Sequence, residues 1–188
     1  MAKVDLKIFN NDWYRPGPYW KIGLWVLVSF LFFNHGLAVF SSFKCWLLKL
    51  FGAKVGINVI IKPSVNIKYP WLLTIGDYTW IGENVWIDNL AQVTIGSNAC
   101  ISQGAMLLTG NHDFSKSTFD LIVKGIVLED GVWIGAKSIV CPGVYASSHS
   151  ILTVQSVITT DMAPYYIYKG NPALPIKKRI ISNTSKIS

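Results

Sequence analysis

Three histidines, three cysteines and ten carboxylates are the reactive side chains of this 188-residue chain, and one of them stands out by its setting. His112 lies in the run Thr109-Gly110-Asn111-His112-Asp113, where glycine and asparagine allow a tight backbone that presents the ring. An imidazole that is neutral near pH 7 can take a proton from a hydroxyl and later return it. Asp113 either orients that ring or caps the local turn, and we read it as the cap. His35 sits in an apolar stretch and His149 in a regular one, so the three histidines form no ligand cluster and no metal is expected. Cys45, Cys100 and Cys141 are odd in number, lack metal spacing and have no evident base beside them. They read as buried thiols in a reducing cytosol, not as nucleophiles.

The elements that must hold His112 in place repeat every six residues. Val55, Ile61 and Ile67 begin the beat; Ile75, Ile81 and Ile87, then Ile95, Ile101 and Leu107, continue it. After a gap it resumes at Leu128, Ile134, Val140, Ala146, Leu152 and Ile158. Glycine follows the anchor at Gly56, Gly76, Gly82, Gly96 and Gly135, and a small or β-branched residue comes four places on. A helix does not repeat this way, and neither does an alternating strand. A chain that turns a corner every six residues does, with the aliphatic inside and glycine easing the turn. Three sides make one coil of a triangular prism, so the core over 55–162 is expected to be all-β, a left-handed parallel β-helix. The steps from Ile67 to Ile75 and from Ile87 to Ile95 are eight residues long, and both leave a third side. The long break at 109–127 leaves a third side as well. One edge of the prism therefore carries two bulges and then an inserted loop, which we read as functional.

Residues 1–54 lie outside the beat. Asn10 to Trp20 is rich in aromatics, glycine and proline and reads as an ordered loop. Ile22 to Phe43 contains no charged residue, a length that could just span a bilayer. Polar interruptions and Gly36 argue instead for two short apolar helices, roughly 20–33 and 37–51. These would cap the open end of the prism, pack against a partner subunit, or make peripheral contact with a membrane through residues 20–51. No signal-peptide pattern precedes them. Just over half of the residues are hydrophobic, and the net charge of +7 favours an anionic ligand or an anionic membrane surface. No nucleic-acid reader motif accompanies that charge. Residues 163–188 read as a closing segment with a basic tail.

The hexapeptide run, the Thr-Gly-Asn-His-Asp loop and the closing Lys169-Gly170-Asn171-Pro172-Ala173 resemble the hexapeptide acyltransferases. Phe51-Gly52-Ala53-Lys54-Val55-Gly56, Lys62-Pro63-Ser64-Val65, Tyr69-Pro70-Trp71 and Leu73-Thr74-Ile75-Gly76-Asp77-Tyr78, with the aromatic N-terminus, are similar to the colanic acid biosynthesis acetyltransferase group over nearly the whole chain. The resemblance implies an O-acetyltransferase in exopolysaccharide or capsule biosynthesis, a cytoplasmic homotrimer that requires no metal and moves an acetyl group from acetyl-CoA to a sugar or lipid-linked sugar hydroxyl. In it His112 matches the general base, and Asn84 an asparagine that holds the acceptor; a left-handed corner residue is the other reading of Asn84. The amide of Ala136 matches the donor to the thioester oxyanion. Trp133 matches a tryptophan lining the site, and Val154, Ser156 and Thr159 match the stretch along which the cofactor lies. Thr160, Leu174 and Gln155 depart from the pattern, which shifts the cofactor phosphates onto Lys177, Lys178 or Arg179; a solvated tail is the alternative. Asn84 is on a second side while the His112 loop leaves a third, so the resemblance and the beat together place the active sites between subunits. Two rivals remain: a catalytically silent trimeric scaffold of a polysaccharide-assembly complex, and a transferase using another acyl-CoA.

Overall fold

Aliphatic residues six apart stack coil upon coil in the structure, a computed structural model that describes residues 3–36 and 40–182. Val55, Ile75, Ile95, Leu128 and Ala146 align in parallel register on one sheet, face 1. Face 2 stacks Ile61, Ile81, Ile101, Ile134 and Leu152; face 3 stacks Ile67, Ile87, Leu107, Val140 and Ile158. All of these side chains are buried. Removing them from water drives the assembly of a β-solenoid of about six turns.

Glycine follows the anchor for a reason other than the one expected. Gly56, Gly76, Gly82, Gly96 and Gly135 all keep φ outside the left-handed region. That region is occupied two residues later, at Asn58, Tyr78, Asn84, Asn98 and Lys137. What glycine supplies is room. A Cβ on Gly135 would stand 2.6 Å from the Val154 nitrogen of the next coil, because coils stacked at strand spacing leave no gap there.

The extra residues at the end of face 3 do stack along one edge. The Asn89 side chain accepts from the Tyr69 N–H at 2.9 Å and donates to the Tyr69 carbonyl at 2.6 Å, joining the first bulge to the second. The Thr109 hydroxyl donates to the Asp88 carbonyl at 2.8 Å and accepts from the Ala91 N–H at 3.0 Å, joining the second to the insertion. The insertion itself is not an irregular loop. Gly110–His112 pairs antiparallel with Leu121–Val123, making a two-stranded ribbon whose tip is held by Lys116 and Asp120 at 2.8 Å.

Helix α1 (Tyr19–Phe32) and helix α2 (Ser41–Leu50) cover the first coil. Part of the expected second helix, 37–39, lies outside the described residues. Among the described residues no helix is long and apolar enough to cross a membrane; α1 has 14 residues where about 20 are needed. The helices solve a problem of backbone satisfaction. The first coil has no earlier coil to pair with, and α2 supplies side chains in its place. The Ser41 hydroxyl both donates to the Ile61 carbonyl and accepts from its N–H, at 3.3 and 3.0 Å. Lys44, fully buried, donates to the Lys62 carbonyl at 2.9 Å, and the Trp25 indole to the Ile67 carbonyl at 2.8 Å. Each pairing removes a buried polar group that would otherwise go unmatched.

The C-terminal segment is likewise more ordered than the tail expected from its charge. Tyr166–Gly170 joins face 2 beside Ile151–Leu152, and Ala173–Lys178 returns antiparallel to it. Arg179 is anchored: its guanidinium donates to the Gly131 and His149 carbonyls at 2.9 and 3.1 Å.

Candidate active site

His112 ends the first strand of the insertion ribbon, at the edge between faces 3 and 1. Its ring stacks on Phe119 at 4.3 Å, nearly parallel, and meets the Phe9 ring at 5.7 Å. Nδ1 lies 2.9 Å from the Phe119 carbonyl oxygen. A carbonyl only accepts, so this contact places the proton of the neutral ring on Nδ1 and leaves the Nε2 lone pair free. Nε2 is therefore the atom that can receive a proton. Asp113 takes no part in this. Its carboxylate accepts from the Ser115 N–H at 3.0 Å and from the Ser115 hydroxyl, which together hold its pKa below the usual carboxylate value. It is the cap of the turn.

The ring borders a cavity of about 540 Å³ closed on its other side by the N-terminal segment, including Tyr14, Arg15 and the start of α1 at Tyr19 and Ile22. That aromatic segment read only as an ordered loop, and it forms a wall of the site. The Tyr14 hydroxyl donates to the Leu90 carbonyl at 2.7 Å, clamping the segment to the second bulge. Burial first, then the neighbouring Tyr69 and Asp88, push its pKa far up, so it stays a neutral donor. The Trp71 indole donates to the Pro16 carbonyl at 2.6 Å, and Gly17 packs against the same indole. Arg15 and Lys68 bring two cations to the cavity wall and Asp12 a carboxylate; Lys68 is paired with Asp88 at 2.9 Å. The sequence signal for this wall was the Pro16-Gly17-Pro18 turn among aromatics, which has no periodicity to announce a partner.

The other residues singled out from the sequence lie elsewhere on the prism. Asn84, Ala136 and Val154 occupy the edge between faces 2 and 3. Asn84 is exposed in the left-handed conformation, φ 57°, as one reading of it required. Along this edge Glu83, Gln103, Ala136 and Val154 hold equivalent corner positions, and none of their N–H groups has a partner among the described residues. The edge between faces 1 and 2 is different: the Ile57, Asp77 and Ser97 N–H groups are taken by Asp77, Ser97 and Asp130 side chains of the next coil. One corner is sealed by the protein, and the other leaves its amides open to a ligand carbonyl.

Trp133 stands on the outer surface of face 2, 44% exposed, its indole donating to the Ser102 hydroxyl at 2.9 Å. It shares a cleft of about 450 Å³ with Lys177, Lys178 and Arg179. Lys177 is thus on an ordered strand of the closing hairpin, exposed and on the same cleft as Trp133. Thr159 is exposed past the end of face 3, away from Val154. The Ser156 side chain points inward from the stretch matched to the cofactor. It is 1% exposed, and its hydroxyl accepts from the Gly170 N–H at 3.0 Å and lies 3.1 Å from the Thr153 hydroxyl. Its polar capacity is spent inside the prism.

Cys45 is buried, Cys100 and Cys141 are half-buried, and all three are free. Burial pushes each thiol pKa up, which disfavours the thiolate a nucleophile needs.

No family model matches the chain. It is 36% identical over 167 residues to the protein of Escherichia coli (strain K12) described as "Putative colanic acid biosynthesis acetyltransferase WcaF", covering 89% of this chain and 92% of that one. It is 28% identical over 149 residues to the galactoside O-acetyltransferase of Escherichia coli, covering 78% and 73%. Among solved structures, a hexapeptide-repeat acetyltransferase of Vibrio cholerae complexed with acetyl coenzyme A superposes with a TM-score of 0.72 at 24% identity, over 78% of this chain and 81% of that one. A galactoside acetyltransferase in complex with coenzyme A gives 0.73 at 23% identity, over 85% and 81%. A solenoid built on the six-residue beat, a histidine at the root of its insertion and this likeness across nine-tenths of the chain lead to one assignment: the chain belongs to the hexapeptide-repeat acetyltransferases, acyl-CoA-dependent enzymes, and groups with WcaF.

Proposed function

We propose that the protein transfers an acetyl group from acetyl-CoA to a sugar hydroxyl in exopolysaccharide or capsule biosynthesis, with His112 as the general base. The observation that carries this reading is the Nδ1 contact to the Phe119 carbonyl, which leaves Nε2 as a free base on a cavity large enough for a sugar. The acceptor hydroxyl gives its proton to Nε2 as its oxygen attacks the thioester carbonyl carbon. The carbonyl oxygen becomes an oxyanion, which the Ala136 N–H stabilises. When the intermediate collapses the C–S bond breaks, and Nε2 returns the proton to the departing thiolate.

The same reading requires a homotrimer with a left-handed wind and its sites between subunits. Asn84 and the end of face 3 at Asp88 are four residues of extended chain apart, about 13 Å, and His112 lies beyond that end. One hydroxyl cannot reach both edges of a single prism. Two subunits side by side bring edge 2–3 of one to edge 3–1 of the next. The outer surfaces suit such packing: Trp80, Cys100 and Trp133 stack on face 2 and Trp86, Met106, Ile139 and Val157 on face 3, while the outward row of face 1 is mixed, Lys54, Thr74, Thr94, Val127 and Tyr145.

Thiol release from acetyl-CoA, measured with a panel of sugars and lipid-linked sugars, tests the proposal. Acceptor-dependent turnover should fall by about 100- to 10,000-fold in His112→Ala. Unchanged turnover in that variant would remove His112 as the base. Mixing inactive His112→Ala and Ala136→Pro subunits should restore part of the activity, since one hybrid interface keeps both groups. No restoration in confirmed mixed trimers would place the whole site in one subunit.

A further inference from the structure

The charge of this protein is not spread over it. Between Asp12 and Asp77 the chain has no acidic residue and seven basic ones, while ten basic and ten acidic residues lie elsewhere. The helical cap and the first coil therefore carry the whole net charge of +7, and the rest of the molecule is balanced. The same end of the molecule bears its most exposed apolar surface. Trp20, Leu24, Leu27 and Leu31 recur along one side of α1 with Phe30 beside them, each between 48% and 71% exposed. Only Trp25 and Ser29 of that helix are buried. On α2, Trp46 and Leu50 are also exposed, with Lys49 next to them.

We propose that this cap docks on the surface of an anionic phospholipid bilayer and so presents the His112 cavity to a membrane-borne acceptor. A short helix that is apolar outward, rimmed by tryptophans and lysines and too short to span, lies in the headgroup plane. Anionic headgroups attract the cations around it. Charge also argues against the simplest alternative occupant, a second copy placed cap to cap, since each would bring +7 to the contact. The cap and the site are continuous: Tyr19 and Ile22 of α1 line the cavity that His112 borders, together with Arg15 and Lys68. A sugar carried on an anionic lipid would meet Arg15 at the cavity wall, beside the Lys68–Asp88 pair, while its anchor stayed in the bilayer. The docking needs no acyl transfer to be true; only the acceptor half of the inference rests on the proposed function.

Cosedimentation with vesicles of phosphatidylglycerol and phosphatidylcholine, against vesicles of phosphatidylcholine alone, tests it without any acetyl-CoA. The full-length protein should pellet with the anionic vesicles, and raising salt from about 0.1 to 0.5 M should release much of it. Leu27→Glu/Phe30→Glu, at two outward positions, should lose at least about tenfold in partitioning, and Lys49→Glu about fivefold for each unit of charge removed. Both variants should keep the oligomeric size and melting temperature of the wild type and its turnover on a soluble sugar. Wild type left in the supernatant with anionic vesicles would overturn the proposal. So would equal binding to neutral vesicles, or a change of oligomeric size in Leu27→Glu/Phe30→Glu, which would make α1 a subunit contact. Failure of acetyl transfer with vesicle binding intact would strike only the function proposed above.

Discussion

Replacing Ala136 with proline removes one N–H group and little else, which makes it the sharpest probe of the proposed chemistry. Pro63 holds the same corner position in the first coil and is followed by a left-handed residue, Ser64 at φ 58°, as Ala136 is by Lys137 at φ 55°. The corner therefore accepts a proline ring. The Ala136 N–H has no partner among the described residues, so no hydrogen bond is lost in the resting protein. Proline also narrows the unfolded ensemble, worth about 0.4–1 kcal/mol to the fold. Stability should hold or rise. Loss of an oxyanion donor, by contrast, costs about 2.7–4 kcal/mol in the transition state, or about 100- to 1,000-fold in kcat. KM for acetyl-CoA should change much less. The assay is thiol release with a saturating acceptor, with Ala136→Ser, which keeps its amide, as control. An Ala136→Pro protein that melts like the wild type and turns over within about threefold of it would refute the oxyanion role.

Three further outcomes follow from the geometry. Gly135→Ala places a carbon 2.6 Å from the Val154 nitrogen and should cost about 1–3 kcal/mol by urea denaturation. No loss would mean that the coils can separate locally. Ser41→Ala leaves both polar groups of Ile61 unmatched at the covered end and should cost about 1–3 kcal/mol, with kcat unchanged. Burial raises the thiol pKa values and that of Tyr14, so the folded protein holds protons that the unfolded chain releases. That contribution is complete below the ordinary thiol value of about 8.5 and is lost as pH climbs through the raised folded values. The urea midpoint should be lower at about pH 9.5 than at about pH 7.5; Lys44, which burial shifts down, opposes this and sets a limit on its size.

The solenoid was legible because its driving force is periodic. An inward aliphatic every six residues has one geometric solution, and the two eight-residue steps even assigned the edge that carries the insertion. The reason for the glycines was not legible, since a position that needs space and one that needs positive φ both select glycine. Only the stacked coils separate Gly135, which needs room, from Gly131 at φ 68°. The insertion ribbon and the closing hairpin also escaped. Gly110–His112 and Ala173–Lys178 are short, lack alternation and gain their order from an antiparallel partner strand nearby in the chain, outside the six-residue beat. His112 could be named from its neighbours. Its cavity could not, because Tyr14, Arg15 and Lys68 meet it only through the fold. The direction of the Ser156 hydroxyl was not legible either, since a matching position in a motif does not say which way a side chain points.

The cover that Ser41, Lys44 and Trp25 form over the first coil has a consequence for solubility. A parallel sheet that ends bare is a template, and the first coil would present three such rows, one per face, in register with any other prism end. Prisms stacked on those rows would grow as a fibre without a natural length, since nothing in a repeating array closes on itself. The two helices act as a chain terminator for that polymer. A protein cut to begin at the first coil should therefore fail first by filament growth, visible as rods by negative-stain microscopy, before it fails by unfolding.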